Sequence, residues 1–287
     1  MKRLGDRKDG TLIRKMDAMH TIMPMMYPGR CNNEAFISER IDLTNVNAYL
    51  EKKNADNPEY KYNMFQVIVA AVLKLLVLRP KLNRFIKNQN YYQRNEISAS
   101  FVVKKVFADS SEEGMAFIRA KEDSTIDDIH NEIYRQVSRT RRGEFDSTDS
   151  AMDILNKIPR WMCKLAFAIL RWLDKHGWIP SSLILSDPFH ASVILSNLGS
   201  IKLHAGYHHL TNWGTTSMFV VVGEKKMRPF YNPDGSVEMR DSIDLGITVD
   251  ERIGDGYYFS KTVRLLKKIM ENPELLEHPL SEEVDYE

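Results

Sequence analysis

The segment Asp250-Glu251-Arg252-Ile253-Gly254-Asp255-Gly256 joins two stretches that cannot belong to one element. Before it lies an apolar, β-rich run from Ile243 to Val249; after it, Tyr257 to Met270 carries its apolar residues at amphipathic helical spacing. A strand hands over to a helix here. The chain must therefore build a sheet that covers one face with helices, and the remaining sequence can be read against that requirement.

Upstream, Ala35 to Leu43 reads as a strand through Ala35, Ile37, Ile41 and Leu43, and Thr44 as the cap of a helix running toward Lys53. A more apolar helix follows from Asn63 to about Leu78 and stops at Pro80, after which Asn95 to Phe107 has the pattern of a strand. Ser124 is expected to cap a helix through about Arg141, with Ile126, Ile129, Ile133 and Val137 on one face. Gly143 to Ser150 reads as the long loop. Trp161 to Leu173 is an interrupted apolar segment containing Lys164 and Arg171, too short for the roughly 20 residues that span a bilayer. It is read as an amphipathic helix packed on its own protein rather than lying on a membrane surface. Ala191 to Leu195, Met218 to Val222 and Ile243 to Val249 are short strands, the last two joined through the turn Asn232-Pro233-Asp234-Gly235. Helices alternating with strands along an undivided chain give an α/β sandwich of one main sheet with helices against it.

The 287 residues, 43% of them hydrophobic, suffice for a large single core, and a formal charge of +1 gives no field for nucleic acid. Cys31 and Cys163 are too few for a zinc site or a disulfide framework, and Met1 to Lys15 lacks the apolar stretch of a secretory signal; a cytoplasmic setting is expected.

Four places carry a family resemblance: Arg40-Ile41-Asp42-Leu43-Thr44, Arg79-Pro80-Lys81-Leu82-Asn83, Ser196-Asn197-Leu198-Gly199 and the Asp250 to Gly256 junction. The last resembles the Asp-His-Arg-x-x-Asp-Gly signature of the dihydrolipoamide acyltransferase and chloramphenicol acetyltransferase superfamily. The third resembles its Ser-x-Leu-Gly strand end, about fifty residues earlier, and Gly223 to Pro229 matches the strand-end glycine and polar turn between them. The resemblance implies a chloramphenicol acetyltransferase-like two-layer sandwich, a mixed sheet with helices packed on it, over residues 36–273, flanked by an N-terminal extension (1–35) and a C-terminal tail (274–287). It also implies a homotrimer whose active site lies between subunits, the histidine from one protomer and the serine from its neighbour, with coenzyme A and the acyl acceptor approaching from opposite sides. The residues before Phe36 are too few for a lipoyl or subunit-binding domain, so a stand-alone role is expected.

Acyl transfer requires a base for the attacking group and donors for the tetrahedral oxyanion. By the resemblance, Ser196 is the oxyanion donor, with Asn197 and Gly199 as structural residues of its motif. Asp255 is the aspartate that pairs with an arginine to hold the active-site loop, Gly256 permits the tight turn into the last helix, and Arg252 completes the signature. Read on its own, Ser196 is a strand-end serine bonded to local backbone. Glu251 stands where the family has histidine. A free thiol lies about two pKa units above imidazole but about four above a carboxylate, so a glutamate base costs roughly 3 kcal/mol more, or about a hundredfold in rate, unless a dry pocket raises it. His208 and His209, in a short insertion with His204, are the other candidate bases, although neighbouring histidines on a surface are commonly without such a role. No metal is expected from these histidines. Tyr207, Trp213 and the methionines Met19, Met23, Met25 and Met26 read as core more readily than as a pantetheine channel.

Two functions follow from these residues: an acyltransferase moving an acyl group between coenzyme A and a small acceptor, or a pseudoenzyme that kept the pocket as a trimeric scaffold or acyl-coenzyme A binding protein. A condensation module ranks below both, since the second half and the His-His-x-x-x-Asp-Gly motif of such modules are not found here.

Overall fold

The computed structural model describes residues 3–104, 113–142 and 158–286. The first part of the chain forms β1 (Gly10–Leu12), α1 (Ala18–Met26), β2 (Glu34–Asp42), α2 (Thr44–Lys53), α3 (Met64–Leu78), β3 (Arg84–Lys87), β4 (Asn90–Arg94) and β5 (Ile97–Lys104). It continues with β6 (Glu113–Ala120), α4 (Ile126–Arg141), α5 (Arg160–Lys175), α6 (Ser181–Ser186) and β7 (Val193–Asn197). The last elements are β8 (Met218–Val222), β9 (Lys226–Tyr231), β10 (Val237–Asp250) and α7 (Gly256–Glu271).

The main sheet has the order β2-β10-β8-β7-β5-β6, with β9 paired to the outer half of β10. It is mixed: β7 lies parallel to both β5 and β8, while the other pairs are antiparallel. Alternation decides which side is core. Ile243, Leu245, Ile247 and Val249 of β10, with Met218, Val220 and Val222 of β8, are buried against α3 and α7, whose apolar stripes include Val69, Val72, Leu265 and Ile269. The fold class expected from the sequence is the one observed.

Several boundaries shift for identifiable reasons. Thr44 is the first residue of α2 rather than its cap; the Asp42 carboxylate accepts its N–H at 2.9 Å. At α4 the cap is Thr125, not Ser124, because Asp128 reaches back to the Thr125 N–H at 2.8 Å. The strand expected from Asn95 to Phe107 runs from Ile97 to Lys104; its last three residues, like the loop Gly143 to Ser150, lie outside the described residues. The turn Asn232 to Gly235 joins β10 to β9, a strand the sequence reading passes over.

The segments before residue 36 and after residue 273 pack into the same body. β1 adds to a small sheet of order β1-β4-β3, and Arg7, Arg30 and Asn33 are buried. At the other end Leu276 and Leu280 are fully buried, and the buried Lys74 donates from Nζ to the Pro279 carbonyl at 2.7 Å.

Candidate functional site

The Asp250 to Gly256 junction is held by a buried ion pair. Asp250 ends β10 without exposure, and its carboxylate takes both arms of the Arg252 guanidinium, Nε to Oδ1 at 2.7 Å and Nη2 to Oδ2 at 2.6 Å. Arg252 is 1% exposed, donates its other arm to the Tyr27 carbonyl at 2.7 Å, and has its own carbonyl bonded by the Tyr91 hydroxyl. A second buried arginine, Arg30, stands 3.8 Å from Asp250. Burial lowers the Arg30 pKa against the opposing pull of Asp250, so this carboxylate faces two cations in a desolvated setting.

This corrects one sequence expectation: the arginine-paired carboxylate of the junction is Asp250. Asp255 is exposed and caps α7 by accepting the Tyr258 N–H at 2.8 Å, and Gly256, also exposed, is the first residue of that helix. Between them Glu251 begins a short 3-10 turn, with its backbone N–H bonded to the Asn33 carbonyl. Its side chain is exposed and makes no hydrogen bond or ion pair among the described residues.

Ser196 is similarly uncommitted. It is half-buried near the end of β7 and its hydroxyl has no hydrogen-bond partner among the described residues. The local turn is secured by its neighbours, since Asn197 accepts the Ser200 N–H and the Ser200 hydroxyl bonds the Asn197 carbonyl at 2.7 Å. The bland reading of Ser196, a serine occupied by local backbone, is therefore not what the structure has. Gly199 is required by packing: a Cβ there would lie 2.5 Å from the Gly223 carbonyl oxygen.

The two free side chains are far apart in one chain. Ser196 pairs with Val221, which pairs with Gly246, whereas Glu251 lies five residues beyond Gly246, just past the end of β10. At about 3.3 Å per residue along a strand and 4.8 Å between strands, the separation is on the order of 20 Å. One protomer does not bring them together.

A segment without regular structure, Lys202 to Leu210, bridges these two positions on the sheet face opposite the helices. It leaves the Ser196 turn through the Leu203 N–H bonded to Leu198 and crosses β10 so closely that a Cβ on Gly246 would lie 2.0 Å from the Gly206 carbonyl oxygen. Tyr207 then packs on Phe36 and His208 on Phe219. His209 Nδ1 bonds Glu34 Oε2 at 2.7 Å, and Glu34 is the β2 partner of Asp250. Of the two histidines, His209 thus reaches the strand end beside Glu251. Its side chain is 82% exposed while that of Glu34 is 4% exposed, a buried carboxylate orienting an accessible imidazole. His204 instead lies against Glu224 and Lys226. Among the described residues, no three His, Cys, Asp or Glu side chains gather as a metal-binding group.

The expected methionine core is not found: Met19, Met25 and Met26 are all more than half exposed on α1, which packs beside the Glu251 turn. Sequence reasoning missed Arg30, Asn33 and Glu34, which hold the junction. No local pattern marks residues that act on a strand end more than 200 positions later in the chain.

No protein-family model matches the chain, and no curated protein sequence matches it. Solved structures do. The probable dihydrolipoamide acetyltransferase of Listeria monocytogenes is 16% identical and aligns over 94% of this chain and 96% of its own with a TM-score of 0.60. The dihydrolipoamide acetyltransferase of Azotobacter vinelandii, solved to define the roles of a serine, a histidine and an asparagine in its catalytic mechanism, is 14% identical over 93% of this chain and 94% of its own, with a TM-score of 0.62. A chloramphenicol acetyltransferase is 12% identical over 92% of this chain and 98% of its own, with a TM-score of 0.54. The mixed sheet, the helical layer on one face and this likeness along nearly the whole chain together establish that the protein has the chloramphenicol acetyltransferase-like fold shared with dihydrolipoamide acyltransferase catalytic cores.

Proposed function

We propose that the chain is an acyltransferase that moves an acyl group between coenzyme A and a small acceptor, in a site built from two protomers of a homotrimer. The observation that carries this reading is the pair of uncommitted side chains at the two motif positions, Ser196 and Glu251, each held by a fully bonded frame. In the reaction a base removes the proton of the attacking group, which adds to the thioester carbonyl. The Ser196 hydroxyl donates to the resulting oxyanion, and collapse expels the coenzyme A thiolate, which takes up the proton. Glu251 occupies the position of the family histidine, and a neighbouring subunit covering it would supply the dry surroundings a carboxylate base requires. The Glu34–His209 pair supports a second assignment of the base, because an imidazole oriented by a carboxylate matches a thiol or hydroxyl more closely in proton affinity.

The test is release of free thiol from acetyl-coenzyme A and longer acyl esters, with amine, alcohol and thiol acceptors, by the native chain and by Glu251→Gln and His209→Ala. A fall of at least a hundredfold is expected in the variant that has lost the base, with the other near native. Saturable ester binding without release in any form would favour the pseudoenzyme instead.

A further inference from the structure

The helix α5 leaves an apolar stripe exposed on its outer side. Trp161, Leu165, Ala168 and Trp172 recur at spacings of four, three and four residues and so form one stripe along the helix. Trp161, Leu165 and Trp172 are 66%, 55% and 52% exposed. Trp178, 60% exposed, continues the stripe past the helix end and packs edge-on to Trp172 at 5.3 Å.

The opposite side of α5 holds it to the body through the half-buried Cys163, Ala166, Leu170 and Leu173, through Phe167 edge-on to Trp213 at 5.7 Å, and through a buried charge. Asp174, fully buried, accepts from Arg7 Nη2 at 2.7 Å and is paired with Lys87, and the His190 imidazole stands 3.9 Å away. Burial alone would raise the Asp174 carboxyl, but His190 and the charges of Lys87 and Arg7 outweigh it and hold the group well below the usual carboxylate range. An ordinary surface helix sets a polar face opposite its buried apolar one; here the inner side is held by apolar residues and the Asp174 anchor, and a further apolar stripe is presented outward. The helix does pack on its own protein, as expected from the sequence, through Phe167, Leu170 and Leu173, and a second apolar stripe is left on its outer side.

At 100° per residue, Arg160, Lys164, Arg171 and Lys175 all fall along one edge of the stripe, and none forms an ion pair among the described residues. Asp174, the only acid of the helix, points inward. We infer that α5 docks on an anionic lipid surface. Its tryptophans and Leu165 enter the boundary between headgroups and acyl chains, and its four cations meet lipid phosphates. Charge complementarity selects this occupant over a second copy of the same helix, which would bring four like charges against these four. No helix among the described residues is long and apolar enough to cross a membrane, so the association is with the surface.

The experiment is flotation of the full chain with vesicles of phosphatidylcholine, and of phosphatidylcholine mixed with phosphatidylglycerol, while following tryptophan emission. Binding to the anionic vesicles only, with a blue shift, is expected. Lys164→Gln with Arg171→Gln should weaken that binding about 30-fold, and Trp161→Ala with Trp172→Ala should remove most of the shift, while melting temperatures stay native because all four positions are exposed. Equal binding to both vesicles, or binding to neither, overturns the inference. So does a Leu165→Glu variant that loses its native oligomeric state by light scattering, since the stripe would then lie between copies.

Discussion

Replacing Ser196 by alanine is expected to lower kcat for acyl transfer by about 100- to 1,000-fold, the usual cost of removing one oxyanion donor. KM for the acyl ester should remain within about twofold, because the oxyanion forms only on the way to the transition state. The structure separates this role from a structural one. The Ser196 hydroxyl has no partner among the described residues, and Asn197 and Ser200 secure the turn without it, so the melting temperature should hardly move. A change at such a position is worth within about 0.5 kcal/mol. Steady-state kinetics alongside thermal melts check both parts. A large drop in melting temperature with unchanged kcat would make Ser196 a packing residue.

The largest loss of stability is expected at Asp250. Its carboxylate neutralises Arg252 across two short bonds, both side chains are essentially without solvent contact, and Arg30 stands close by. Asp250→Ala leaves the Arg252 guanidinium buried and unpaired, a defect that costs about 3–5 kcal/mol. For a chain of this length that lowers the melting temperature by roughly 10 °C. Because the pair's own desolvation is costly, Asp250→Val combined with Arg252→Met should recover much of the loss, and calorimetry of the single and double variants measures the coupling. A single variant as stable as the native chain would mean that the junction is held by its backbone bonds alone.

The legible parts of this molecule are those whose signal is local. Periodicity identifies α3, α4, α7 and the core strands, since the 3.6- and 2-residue repeats appear directly in Met64 to Leu78, Ile126 to Arg141 and Ile243 to Val249. The β3–β4 hairpin is missed because its turn places Asn88 and Gln89 at positive φ without the Asn-Gly pair that marks such turns. β6 is missed because Ala116, Phe117 and Ile118 are consecutive buried residues, a run that cannot be told from a short helical segment. At the site, the order Ser196 to Glu251 is visible in the chain, but the clamp on Asp250 is not. Arg30 and Tyr27 are brought to it by the pairing of β2 with β10. The outward stripe of α5 is illegible for a different reason: periodicity shows that a helix has two faces and cannot say which one the body will hold.

The shared site is tested most directly by co-expressing Ser196→Ala with Glu251→Gln, each nearly inactive alone, and assaying thiol release from acyl-coenzyme A by the mixed assembly. If Ser196 of one protomer works with Glu251 of its neighbour, random mixing leaves about a quarter of the interfaces intact, and activity returns to about a quarter of native. Activity no greater than that of either variant alone would contradict an active site assembled between subunits from these two residues.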